Sequence, residues 1–140
     1  LLLVNLKLLG HDMGDPSALS ELVTLISENC DWPVPPDYPV FGRDAFRTGT
    51  GVHAAAVIKA AKRGDDLLAD MIYSGVPASW FGRKQEIEIG HMSGLSNIKY
   101  WLESREIPCT DKLVDEIFTL AKSGTTTLSE DAIMTVVTAQ

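Results

Sequence analysis

The sequence predicts a mostly α fold of helical linker and accessory subdomains with one short strand segment. Three observations predict it. Apolar residues recur at helical spacing in segment after segment, capping and stop residues bracket those segments, and strand-like alternation is confined to Gln85–Ile89. No internal repeat and no low-complexity tract interrupts the pattern.

Residues 1–10 read as the end of a helix closed by Gly10, with turn residues from His11 to Pro16 after it. The next helix is capped by Asp15 or Ser17, takes Pro16 in its first turn, and carries the stripe Leu19, Leu22, Val23, Leu25 and Ile26 to about Asn29. Four prolines at 33, 35, 36 and 39 then force an extended connector, because each fixes φ and biases the residue before it away from helix. A glycine-rich turn leads into an alanine-rich helix from about Val52 to Arg63, with Gly64 as its stop, and residues 65–71 form a further short helix.

Tyr73 to Gly82 reads as an irregular aromatic loop, and Gln85–Ile89 as the short strand. Ser93-Gly94 opens a helix to about Ser104. Thr110 caps an amphipathic helix with the stripe Leu113, Val114, Ile117, Phe118 and Ala121, stopped by Gly124. Thr127-Leu-Ser-Glu130 has capping-box spacing before a last helix to about Val137.

A net charge of −7, with twelve scattered basic residues, disfavours a nucleic-acid partner. The apolar run at 1–10 is interrupted by Asn5 and Lys7 and is too short to span a membrane, so the chain reads as soluble and cytoplasmic. Cys30 and Cys109 stand alone, and His11, His53 and His91 form no metal-ligand pair, so no metal ligands are expected in this chain. The sequence opens on Leu1 with helical apolar spacing and no cap, which reads as a piece of a longer protein.

The feature that carries chemistry is the turn at Gly49 and Gly51, which delivers His53 to the start of a helix. Glycines permit close approach, and a helix start exposes unsatisfied N–H groups with partial positive charge. The same turn can equally be a plain loop before a structural histidine.

Taken together, these segments resemble the 2-isopropylmalate synthase and homocitrate synthase family, metal-dependent Claisen-condensing acyltransferases with a TIM-barrel catalytic domain. The resemblance rests on Gly42, Ala45 and Phe46, on Gly51-Val52-His53, on Tyr73 nine residues before Gly82, and on Ser93-Gly94. It implies four segments: 1–10 as the last helix of a barrel domain absent from this chain, 11–40 as a helix and proline-rich connector, 41–92 as a linker subdomain carrying the Gly-Val-His motif, and 93–140 as a helical accessory subdomain.

It further implies a homodimeric enzyme acting on acetyl-CoA and a 2-oxo acid, as in leucine biosynthesis, with a divalent metal held by the barrel. His53 and Tyr73 are then the catalytic candidates, reaching the active site of the partner subunit, and Arg83, with Arg43 and Arg47, is a candidate for the phosphates of coenzyme A. Thr48, Gly49 and Met92 depart from the family pattern, so isopropylmalate, homocitrate and citramalate chemistry all stay open. The rival reading is a non-catalytic helical dimerisation or interaction module in which His53 is structural. A leucine-sensing regulatory domain is disfavoured, since it should show several alternating strands.

Overall fold

The computed structural model describes residues 1–139; Gln140, the last residue of the expected accessory segment, lies outside them. Among the described residues the chain is mostly α, with helices α1 (Leu2–Leu8), α2 (Leu19–Asn29), α3 (Gly51–Lys62), α4 (Asp66–Met71), α5 (Leu95–Glu103), α6 (Asp111–Ser123) and α7 (Glu130–Thr138). Two short strands, β1 (Arg47–Thr48) and β2 (Glu86–Ile87), pair in parallel with Arg47 opposite Glu86 and Thr48 opposite Ile87. Contacts divide the chain into two interleaved units, one of residues 1–46 and 66–85, the other of 47–65 and 86–140.

In the first unit, Val4, Val40, Val76 and Phe81 are buried, with Leu19, Phe41, Phe46 and Trp80 packed on them. Gly10 ends α1 at φ 85°, where its N–H reaches Lys7 O and that of His11 reaches Leu6 O. This is the left-handed helix stop that glycine accommodates without steric cost. α2 starts one residue later than a cap at Ser17 would require. Asp15 Oδ1 accepts the Ser17 N–H at 2.9 Å and Pro16 O accepts the Leu19 N–H, so residues 15–18 form a turn ahead of the helix, which has no side-chain cap. The aromatic loop is more ordered than expected, since Ala78–Phe81 forms a 3₁₀ turn.

The second unit is built on Ile98, Trp101 and Leu102 of α5, Leu113, Val114, Ile117 and Ala121 of α6, Ile133 of α7, and Ile89. α5 packs against α3 and α6, and α6 against α7. α3 contributes Ala54, Val57, Ile58 and Ala60 as its buried face, and Gly64 closes it at φ 75° in the manner of α1. Thr110 caps α6 as expected, accepting the Leu113 N–H at 3.2 Å.

α7 corrects the capping-box reading. Ser129, not Thr127, is its cap, accepting the Ala132 N–H at 3.2 Å. Thr127 is still extended at that point, bridged antiparallel to Gly90, while the Leu128 N–H donates to Ile89 O at 2.7 Å, so the helix cannot begin until two residues later.

Candidate functional site

The glycine turn and the Ser-Gly turn meet. The Gly51 N–H donates to Met92 O at 2.9 Å, and a Cβ on Gly51 would stand 2.8 Å from Gly94 N and 3.3 Å from its Cα. Gly51 is therefore required for backbone approach, not for a left-handed φ. Two buried polar side chains hold the contact. Ser93 Oγ donates to Gly49 O at 2.6 Å and accepts the Gly90 N–H at 2.9 Å. Asn97 Nδ2 donates to Glu88 O at 3.0 Å and Gly49 O at 3.3 Å, while its Oδ1 accepts the Gly94 N–H at 3.2 Å. From outside, Lys122 Nζ donates to His91 O at 2.6 Å and Ser93 O at 2.8 Å, with its ammonium 4.9 Å from the Phe118 ring centre.

His53 is the third residue of α3, two residues beyond this junction. Its neighbour Ala54 is fully buried, whereas His53 and Val52 are exposed. The helix thus anchors on its apolar face, and His53, in its first turn, stays exposed at the helix start. An imidazole there can donate a hydrogen bond to a developing oxyanion or carry a proton.

Tyr73 and Arg83 belong to the other unit. Tyr73 is about half exposed and lies in the loop after α4. The buried Asp70 closes that loop, its two carboxylate oxygens accepting the Ala78 and Ser79 N–H groups at 2.9 Å each. Gln85 Nε2 adds a bond to Asp70 O at 2.8 Å and one to Ser74 Oγ at 2.7 Å.

The Arg83 guanidinium is engaged with the chain itself, donating to Gly42 O at 2.7 Å, Val40 O at 2.8 Å and Arg43 O at 3.3 Å. It also lies 5.3 Å from the Phe46 ring centre. This grip steadies a strained segment. Val40 and Phe46 both sit at φ 67°, and Gly42 packs so closely on Pro35 and Tyr38 that a Cβ would stand 2.7 Å from Pro35 O and 2.6 Å from Tyr38 N.

Of the other candidates, Arg43 pairs with Asp44 on the surface and Arg47 bridges Glu86 and Glu88 at 3.0 and 3.1 Å. Sequence reasoning missed Asp70, Asn97, Lys122 and the structural engagement of Arg83. Asn97 carried a signal, since it stands three residues after Gly94 at capping-box spacing; the others act on carbonyls or amides distant in sequence and carried none.

Among the described residues no group of three or more His, Cys, Asp or Glu side chains is placed to hold a metal ion. The resemblance implies a divalent metal held by the barrel domain and not by this chain. No described helix is long and apolar enough to cross a membrane.

Comparison with known proteins shows what this helical, motif-bearing chain is similar to. No family model matches it. An (R)-citramalate synthase of Aquifex aeolicus is 32% identical over 130 residues, covering 86% of this chain and 23% of that protein. A homocitrate synthase of Sulfolobus acidocaldarius is 27% identical over 115 residues, 82% of this chain and 23% of the relative. A homocitrate synthase of Pyrococcus horikoshii is 31% identical over 85 residues, 61% of this chain and 21% of the relative. The curated homologues are therefore citramalate and homocitrate synthases, members of the 2-isopropylmalate/homocitrate synthase family. The chain spans under a quarter of the length of these relatives.

Proposed function

We propose that this chain serves an acyltransferase that condenses acetyl-CoA with a 2-oxo acid, in the manner of a 2-isopropylmalate synthase, with His53 and Tyr73 contributed to the active site of a partner subunit in a homodimer. The observation that supports it best is the junction of Gly51 with Gly94. Two motifs of the family resemblance, separated in sequence by the stretch from Gly51 to Gly94, are joined there and leave His53 on the first turn of α3.

In this reaction a proton leaves the acetyl methyl group, the resulting carbon nucleophile attacks the ketone carbon of the 2-oxo acid, the alkoxide is protonated, and water cleaves the thioester to release coenzyme A. Negative charge builds on the acetyl oxygen in the first step. The His53 imidazole and the Tyr73 phenol supply hydrogen-bond donors for that oxygen or move the proton. The divalent metal that the resemblance implies would be held by the barrel domain of the whole protein and would supply Lewis-acid polarisation of the ketone. An approaching coenzyme A phosphate would compete at Arg83 with the three carbonyls it already serves, so an Arg83→Lys enzyme with an unchanged KM for acetyl-CoA removes Arg83 from the phosphate site. On this reading the protein acts in the cytoplasm. The non-catalytic dimerisation module remains the rival.

The test is acetyl-CoA-dependent thiol release by the intact gene product with a panel of 2-oxo acids. The acid turned over identifies the substrate. His53→Ala should lower kcat by about a hundredfold or more, the usual contribution of a positioned acid or base. Wild-type turnover by that variant removes His53 from the mechanism, and no thiol release with any 2-oxo acid favours the module.

A further inference from the structure

Ser93 and Asn97 converge on the turn that launches α3, and the reaction as written uses neither. Asn97 is wholly buried and Ser93 is 3% exposed. Between them they place two donors on the Gly49 carbonyl, satisfy the Gly90 and Gly94 N–H groups, and engage both the nitrogen and the oxygen of the Asn97 amide. A carbonyl oxygen has two lone pairs, so Gly49 O is held from two directions and its peptide plane is fixed. A buried amide costs desolvation that an apolar side chain of similar size would avoid, and such a hydrogen-bonded polar cluster specifies one geometry.

We propose that Asn97, assisted by Ser93, is a positioning residue that sets the direction in which α3 leaves the glycine turn, and hence the place of the His53 imidazole. The proposal rests on the catalytic reading of His53 given above. The buried face of α3, formed by Ala54, Val57, Ile58 and Ala60, is apolar and takes no part in these hydrogen bonds. Removing the amide therefore frees the first turn while the helix stays docked. A displacement of order 1 Å at a reacting group costs up to about a hundredfold in rate. Asn97 lies on α5 and acts only through backbone, which predicts an effect on kcat with little effect on KM.

The experiment compares Asn97→Ala, Ser93→Ala, His53→Ala and the double variant His53→Ala/Asn97→Ala in the intact gene product, by steady-state kinetics and by NMR of the histidine rings. Asn97→Ala should lower kcat about ten- to a hundredfold at unchanged KM, and Ser93→Ala should do so to a smaller degree. The double variant should be no slower than His53→Ala alone, because Asn97 acts through that ring. The ring signals of His53 should move in Asn97→Ala while those of His11 do not. A further loss on the His53→Ala background, or parental kcat and unmoved His53 signals in both Asn97→Ala and Ser93→Ala, overturns the proposal. Parental turnover by His53→Ala instead overturns the catalytic reading on which it rests.

Discussion

Replacing Gly51 by alanine isolates the junction on which the site depends. The added Cβ would stand 2.8 Å from Gly94 N, 3.3 Å from Gly94 Cα and 3.4 Å from Ser93 C. All three atoms are backbone, so no rotamer change relieves the overlap, and the cost falls in the overpacking range of about 1–3 kcal/mol, toward its upper end. Against it stands the gain from removing a glycine at a helix start, about 1 kcal/mol at most. The net destabilisation is about 1–2 kcal/mol. With an unfolding entropy near 2.1 cal/mol/K per residue, a chain of 140 residues has about 0.3 kcal/mol/K, so Tm should fall by about 3–7 °C. Gly75→Ala is the control. Nothing lies within 4 Å of its Cβ position and its φ is not left-handed, so it should hold Tm or raise it slightly. Melting followed by circular dichroism reads both. A Gly51→Ala protein that melts with the parent would falsify the close approach of the two turns.

Two further outcomes follow from the same geometry. Asp70→Ala should lower stability by about 2–3 kcal/mol, because it strands the buried Ala78 N–H, while Asp70→Asn, which keeps one acceptor, should lose less; urea midpoints that coincide with the parent for both refute the cap. The Asp15 carboxyl is held below its ordinary value of 3.8, first by the Ser17 backbone N–H, then by the Ser17 side chain and more weakly by Lys7. A depressed carboxylate pKa stabilises the fold above the unfolded value and loses that contribution as pH falls through the folded one. The turn before α2 should therefore keep this contribution above pH 3.8 and lose it only as pH falls below that value, and a ¹³C carboxyl titration of Asp15 with its midpoint at or above 3.8 refutes this.

Much of the helical layout was legible because it is local. Thr110, Gly10 and Gly64 act within one turn of the helices they bound, and the stripe from Leu113 to Ala121 is buried at its expected positions except Phe118, which is half-buried. The end of α5 was also legible to one residue, at about Ser104 against the observed Glu103, although no glycine marks it and Glu106 takes the left-handed conformation at φ 57° that glycine usually fills. β1 was missed because two residues offer no period, and its pairing with β2 is fixed by a register across almost forty residues. Likewise His53 could be placed at a helix start from Gly51-Val52-His53 alone. Its support was legible only in the spacing of Asn97 from Gly94, because the carbonyls that Ser93 and Asn97 bind are possessed by every residue type.

The interleaving of the two units restricts how this chain can exchange parts with its relatives. Phe81 and Val76 share a core with Val4 and Val40, yet residues 47–65 between them belong to the other unit. A single recombination junction near residue 65 would give a chimera in which both cores join halves of different parentage. Functional hybrids should therefore arise from junctions that move 47–65 together with 86–140, or from none at all, and shuffling libraries built on single crossovers should be depleted of folded members across this region.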